Sequence, residues 1–145
     1  KIEKAETMHI TLETDYAVRI IDCLVQNGRR MDAKTISEKT EVTLRFSLKI
    51  LRKLVSGGLV KSFKGTQGGY ELAKTPEELS LYDVIKTVQG PYLFSRCLAP
   101  DFNCNFTDKC AKCKFYAIYD QLTAEVVEKL SAVKFADLIE KKQQP

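Results

Sequence analysis

Residues 43–72 read TLRFSLKILRKLVSGGLVKSFKGTQGGYEL, and they indicate the architecture of the chain more strongly than any other segment. Thr43 is a suitable N-cap for an amphipathic helix that reaches about Ser56. Two glycines end this helix. A strand, a glycine-rich tip and a returning strand follow them, which is the pattern of a β-hairpin. The segment therefore predicts a helix followed directly by a hairpin.

The apolar residues of this helix predict which of its sides faces the core. One stripe, at i, i+4, i+7 and i+11, consists of Leu44, Leu48, Leu51 and Val55. A stripe with this spacing is expected to pack inward. The basic residues on the other side are Arg45, Lys49, Arg52 and Lys53. The helix is therefore expected to present a basic face to solvent.

The residues before this helix predict two further helices. Thr14 is expected to cap the first, which Gly28 ends, and Asp32 to cap a short second helix over about 33–40. A short helix, a tight break and a basic helix are typical of a helix-turn-helix. With the hairpin as its wing, the predicted unit is a winged helix-turn-helix.

The second half of the chain predicts two more helices. Ser80 and Asp83 form a capping-box pattern before a helix over 81–88. A long amphipathic helix is expected over about 114–133, either to form a dimer or to fold back over its own core. The dimer is favoured. The predicted fold class is mainly α with a small β-hairpin wing, plus a long C-terminal dimerisation helix.

Three regions follow from this organisation. Residues 8–90 are expected to form the winged helix-turn-helix domain, residues 91–113 a cysteine-rich loop, and residues 114–136 the dimerisation helix. Met8 is the expected natural start, so residues 1–7 are expected to be a remnant or an upstream extension.

The placement of charge indicates a polyanionic partner. Residues 42–70 contain six basic residues and no acidic one, whereas residues 75–145 contain nine basic and ten acidic residues. A positive face on a nearly neutral body is typical of nucleic-acid binding. The alternative is a surface whose charge only confers solubility.

Five cysteines occur without a signal-peptide pattern or a membrane-spanning run, so a cytoplasmic location without disulfides is expected. Four of them follow the spacing Cys97-x6-Cys104-x5-Cys110-x2-Cys113. Thiolates are suitable ligands for iron–sulfur clusters, zinc or copper(I). Structural zinc and a direct thiol redox sensor therefore remain alternatives to a cluster. Cys23 is expected to be a small core residue.

Several segments together resemble the IscR/NsrR-like winged-helix transcription regulators. They are MHITLETDYAVRII (8–21), LRKLVSGGLVKS (51–62), KGTQGGYELAKTPEELSLYDVI (64–85) and the cysteine loop. The resemblance covers residues 8 to about 136. It implies a homodimer on a pseudo-palindromic double-stranded DNA operator, with the recognition helix in the major groove and the wing near the minor groove.

The resemblance also implies the DNA-binding residues. They are Thr43, Arg45, Phe46, Lys49, Arg52, Lys64 and Gly65. Arg45 is expected to contact a guanine or a phosphate, and Lys49 and Arg52 to contact phosphates. Phe46 could instead pack between helices.

A cluster cofactor, [2Fe-2S] or [4Fe-4S], is implied by the same resemblance. Family members that sense through a cluster use three cysteines, which correspond here to Cys97, Cys104 and Cys110. The fourth ligand is a histidine in some members, at the position of Cys113, and an early aspartate in others, at the position of Asp15. Cys113 is favoured because thiolate binds such iron more readily than carboxylate does.

These observations favour a DNA-binding transcription regulator, expected to be a repressor, whose operator binding depends on an iron–sulfur cluster or on thiol redox state. The alternative is a small zinc or iron–sulfur protein that docks a protein partner without binding DNA. An enzyme is not expected, because the chain has one histidine and no phosphate-binding loop of the G-x-x-x-x-G-K-[ST] type.

Overall fold

The computed structural model describes residues 9–106 and 113–139. In chain order the elements are α1 (Leu12–Asn27), α2 (Ala33–Thr40), α3 (Leu44–Ser56), β1 (Val60–Phe63), β2 (Gly69–Leu72), α4 (Leu81–Gln89) and α5 (Lys114–Ala132). Short 3-10 helices at Arg96–Leu98 and Phe135–Leu138 precede and follow α5. The predicted fold class, mainly α with one antiparallel hairpin, is confirmed.

The helix-turn-helix begins and ends as predicted, because its caps are local. The side chains of Asp32 and Thr43 accept the backbone N–H groups of Thr35 and Phe46, at 3.4 and 3.3 Å. The hydroxyl of Thr35 also donates to Asp32, and this hydrogen bond lowers the pKa of that carboxyl group. The boundaries of α2 and α3 are therefore determined by their own sequence.

The predicted start of α1 at Thr14 is wrong. Thr11 is the N-cap, and its hydroxyl oxygen accepts the N–H of Thr14 at 3.2 Å. Both threonines are suitable caps, but Thr14 lies on the face of α1 that packs inward and is fully buried. The predicted end is confirmed, since Gly28 adopts a left-handed φ of 70° and donates to Leu24.

The core is one cluster of apolar side chains around α1, which packs against α2, α3 and α4. Its fully buried members include Ile20, Ile21, Ile36, Ile50, Leu51, Leu54, Leu79, Val84 and Phe135. The helix-turn-helix and α4 therefore share one core, which fixes α3 relative to α1.

The predicted inward stripe of α3 is wrong for two of its members. The buried residues of α3 are Ser47, Ile50, Leu51 and Leu54. Leu44 and Leu48 are instead 44% and 39% exposed. Two apolar stripes overlap on this helix. The buried stripe includes a serine, so a pattern of apolar residues alone does not identify it. Ser47 can be buried because its hydroxyl donates to the carbonyl of Val42 at 3.3 Å.

The hairpin is anchored to the segment between α1 and α2. Its register pairs Val60 with Leu72, and Phe63 with Gly69. Met31 adds an isolated bridge, exchanging two backbone hydrogen bonds with Tyr70 at 2.9 and 2.8 Å. Gly69 is required there, because its φ is 142° and a Cβ would lie 2.7 Å from the carbonyl oxygen of Met31.

Helix α5 lies outside this core. None of its residues is buried in the single chain, and Phe115 and Ile118 are exposed. The chain then returns to the core, where Phe135 is only 1% exposed. The residues after α5 therefore complete the core that α1 organises. The predicted division of the chain into three regions stays a prediction. Separately, no helix in the described part of the chain is long and apolar enough to cross a membrane.

We expect Phe135→Ala to lower the free energy of unfolding by about 3–5 kcal/mol, because it leaves a large cavity in the core. The control Phe106→Ala removes the same ring from a side chain that is 79% exposed, and should change stability by no more than about 0.5 kcal/mol. Urea denaturation at one protein concentration measures both. Equal effects of the two variants would contradict the placement of Phe135.

Candidate nucleic-acid interface

One face of α3 carries most of the predicted DNA-binding residues. Because Ser47, Ile50 and Leu54 turn one side of α3 inward, the opposite side is left for solvent. The exposed residues there are Leu44, Arg45, Leu48, Lys49 and Arg52. Thr43 is also exposed, but its hydroxyl oxygen is used to cap the helix. The face combines positive charge with two leucines.

Phe46 lies at the edge of this face and packs against α1. Its ring meets that of Tyr16 edge to face, with ring centroids 5.9 Å apart. The ammonium group of Lys49 is 5.6 Å from the Phe46 centroid. Phe46 remains 39% exposed, so it positions α3 against α1 and still has surface available to a ligand. The packing alternative is thereby supported, and a DNA contact stays a prediction.

Glu13 is a residue of the interface that the sequence analysis missed. Its Oε1 atom lies 2.8 Å from the ammonium nitrogen of Lys53 and 3.9 Å from that of Lys49. The carboxylate is shielded, with its side chain 24% exposed. An acid on α1 therefore offsets part of the positive charge of α3 and ties the two helices together. The ion pairs join residues 36 and 40 positions apart, so no local pattern could indicate them.

Arg30 is a second missed residue, and it holds the wing. Its guanidinium carbon lies 3.4 Å from the centroid of Phe63. The same group is 3.4 Å from a carboxylate oxygen of Glu71 and donates to the carbonyl of Gln67 at 3.0 Å. A stacked cation with two polar partners helps to hold the hairpin against the segment before α2. These partners lie more than 30 positions away along the chain, so no local pattern could indicate Arg30.

The wing tip presents Lys64 and Gly65 to solvent, as predicted. Gly65 has a left-handed φ of 95°, and its carbonyl oxygen accepts the N–H of Gly68 at 2.9 Å. A Cβ on Gly68 would lie 2.6 Å from the carbonyl oxygen of Phe63. The glycines therefore allow a tight tip, which places Lys64 at its edge.

Three of the described cysteines lie in the segment before α5 or at its N-cap. Cys97 belongs to the 3-10 helix that packs against α5, Cys104 follows in the loop, and Cys113 is the N-cap residue of α5. All three are half-buried. The side chain of Cys113 makes no capping hydrogen bond. The thiol of Cys113 is therefore not needed to start the helix.

These thiols fit an iron–sulfur centre by donor chemistry. Among residues 9–106 and 113–139, however, no group of three potential ligands is assembled. Cys110, the third predicted ligand, lies outside the described residues. Asp15, the alternative ligand, is exposed and forms an ion pair with Arg19 at 3.3 Å. The ligand set therefore stays a prediction.

Cys23 behaves as the sequence predicts, as a small residue packed against the core. Its sulfur lies 3.8 Å from that of Met31. Burial raises the pKa of its thiol, so the protonated form is favoured over the thiolate that metals require. Cys23 therefore provides a control for the other cysteines.

The family model of Rrf2, described as an iron-dependent transcriptional regulator, matches residues 10–141. The chain belongs to the Rrf2 family. The resemblance to IscR/NsrR-like regulators is thereby confirmed. The match covers the helix-turn-helix, the wing, the cysteine loop and α5.

Individual Rrf2 relatives agree with this assignment. Protein aau3 of Rhizobium meliloti is 31% identical over 105 residues, which are 71% of this chain and 68% of that protein. The HTH-type transcriptional regulator NsrR of Shouchella clausii is 23% identical over 134 residues, covering 91% and 89% of the two chains. The structure of T. potens IscR has a TM-score of 0.69 at 21% identity, covering 94% and 92%. The protein is therefore a DNA-binding transcriptional regulator of the Rrf2 family with a winged-helix fold.

We expect Glu13→Gln to strengthen binding to a random-sequence duplex, because it frees Lys49 and Lys53 for phosphates. Each added phosphate contact should steepen the slope of log K against log salt concentration by about 0.9. Fluorescence anisotropy at several salt concentrations measures this. Glu77→Gln, the same charge change at an exposed position outside the interface, should leave the slope unchanged. An unchanged slope in Glu13→Gln would contradict the charge-offsetting role.

Proposed function

We propose that this Rrf2 protein is a homodimeric transcriptional repressor that binds double-stranded operator DNA. We further propose that an iron–sulfur centre held by its cysteine loop modulates the affinity for this DNA. The observation that carries the proposal is the outward basic face of α3 beside the anchored wing.

The charges support duplex DNA as the ligand. Arg45 lies in the first turn of α3, where a recognition helix approaches base edges. Lys49 and Arg52 lie further along the same exposed face and suit phosphates. Lys64 adds a cation at the wing tip, which Arg30 holds in place. The helix and the wing together offer two contact regions on one duplex.

Helix α5 supports a second copy of this chain as the protein partner. Its apolar residues Phe115 and Ile118 are 44% and 52% exposed, which is a poor arrangement for an isolated chain. Pairing two α5 helices would cover them. A two-fold dimer would present two α3 helices, as a pseudo-palindromic operator requires.

The cysteine loop is connected to α5, which makes coupling between ligand state and dimer geometry physically reasonable. The N–H of Phe94 donates to the hydroxyl of Thr123 at 3.0 Å, and the ring centroids of Phe94 and Tyr119 are 5.5 Å apart. Cys97 follows this contact, and Cys113 begins α5. A cluster would cross-link this region if it were bound by Cys97, Cys104 and Cys110. The fourth ligand would be Cys113 or, alternatively, Asp15 of α1. A bound cluster would supply a centre sensitive to iron, oxygen or nitric oxide.

We expect the double variant Arg45→Ala, Lys49→Ala to bind duplex DNA about 10- to 100-fold more weakly than the wild type, because a base contact and a phosphate contact are lost. Anisotropy with a duplex selected from a random library measures this. Lys129→Ala removes a cation from α5 and should keep wild-type affinity. Wild-type affinity in the double variant would contradict the placement of the interface on α3.

The cluster is tested in an oxygen-free preparation by visible absorption and by iron and sulfide content. Ser replacements of Cys97, Cys104 and Cys110 should each remove most of the iron, whereas Cys23→Ser should retain it. Comparing Cys113→Ser with Asp15→Asn identifies the fourth ligand. Chelation should change duplex affinity. A colourless, iron-free sample would overturn the cluster, and zinc in its place would establish the zinc alternative.

A further inference from the structure

Two leucines of α3 lie on its exposed side, away from the core. Leu44 and Leu48 are four positions apart, so they lie one above the other on the same side of the helix. Their exposed fractions are 44% and 39%, although Ile50 and Leu54 of the same helix are fully buried. Leaving two large apolar side chains in water loses stability that burial would provide. Their presence on this face therefore points to a ligand.

These leucines lie among cations. An open groove of about 1010 Å³ runs along this side of α3 and is lined by Leu44, Arg45, Phe46, Leu48, Lys49 and Arg52. The residues that line the groove include three cations and no acid, so the lining is positive, and Glu13 of α1 offsets only part of the charge of Lys49 from the side. A second copy of the same face would be repelled. The occupant must therefore combine negative charge with small apolar groups.

We propose that Leu44 and Leu48 determine sequence specificity by contacting the C5-methyl groups of thymines in the major groove. The inference rests on the proposed binding of duplex DNA and adds the chemical feature that is read. Phosphates complement Arg45 and Lys49, while the thymine methyl is the apolar group that the major groove displays. One ligand thus satisfies both components of the face.

The spacing of the leucines limits where these thymines occur. Four residues span about 6 Å along a helix, which corresponds to roughly two base-pair steps of a duplex. Each half-site should therefore contain two required thymines within about three base pairs, on either strand. A leucine cannot accept or donate a hydrogen bond, so cytosine is disfavoured there only because it lacks the methyl group.

The first experiment uses the unmodified full-length protein. A duplex is selected from a random library by repeated binding, and each of its thymines is then replaced singly by deoxyuridine, which removes only the methyl group. Loss of a contacted methyl should weaken binding about 3- to 5-fold, as expected for one buried carbon. The other thymines should show no effect. Anisotropy titrations give the affinities.

The second experiment assigns each methyl to a side chain. Leu44→Ala and Leu48→Ala should each abolish the deoxyuridine effect at one position and retain it at the other, which is the signature of direct coupling. Both replacements favour helix, and they preserve the charge, so circular dichroism and the salt dependence should match wild type. Leu138→Ala removes a leucine of similar exposure (49%) from the 3-10 helix after α5 and should leave the deoxyuridine profile unchanged.

The outcomes separate this inference from the proposed function. A selected duplex that is insensitive to deoxyuridine at every thymine would overturn the methyl contacts and leave DNA binding intact. Retention of the full effect in both leucine variants would also overturn them. If no duplex were selected at all, the proposed function would fail and this inference with it.

Discussion

The packing of one face of α3 against α1 and α4 is the constraint on which the interface depends. Ser47, Ile50 and Leu54 are fully buried, so the opposite side of α3 has to face solvent. That side carries the basic residues and the two leucines. The edge-to-face contact between Phe46 and Tyr16, and the ion pair between Glu13 and Lys53, add further contacts between α3 and α1. The ligand surface is thus a consequence of core packing.

Features that depend on a few neighbouring residues could be predicted from the sequence. The caps Asp32 and Thr43, the stop at Gly28 and the hairpin were of this kind, since each is decided within one turn. The start of α1 was wrong because two threonines satisfy the same local rule and burial chooses between them. The inward face of α3 was wrong because two apolar stripes overlap, and a satisfied Ser47 occupies the true one. Contacts between distant residues, such as Arg30 with Phe63, leave no local pattern.

The candidate site likewise combines features that could be predicted from the sequence with features that only the packed structure shows. The predicted cations of α3 and the wing tip are exposed as expected, because charged side chains avoid burial. The offsetting carboxylate of Glu13 and the exposed leucines became evident only once α1 and α3 were packed together. For the cysteines, the spacing indicates the donors, while their arrangement depends on the loop before α5. Cys97 and Cys113 both adjoin this helix, which relates the proposed sensor to the proposed dimer.

The most direct test of the account is a ¹⁵N-resolved NMR titration of the full-length protein with a selected duplex at low salt. The largest shift changes are predicted at the exposed positions of α3, at Arg45 and Lys49, and at the wing tip around Lys64. Residues in the 3-10 helix after α5 should change little. Changes concentrated on α5, or on the surface between α1 and α2, with α3 unaffected, would contradict the account.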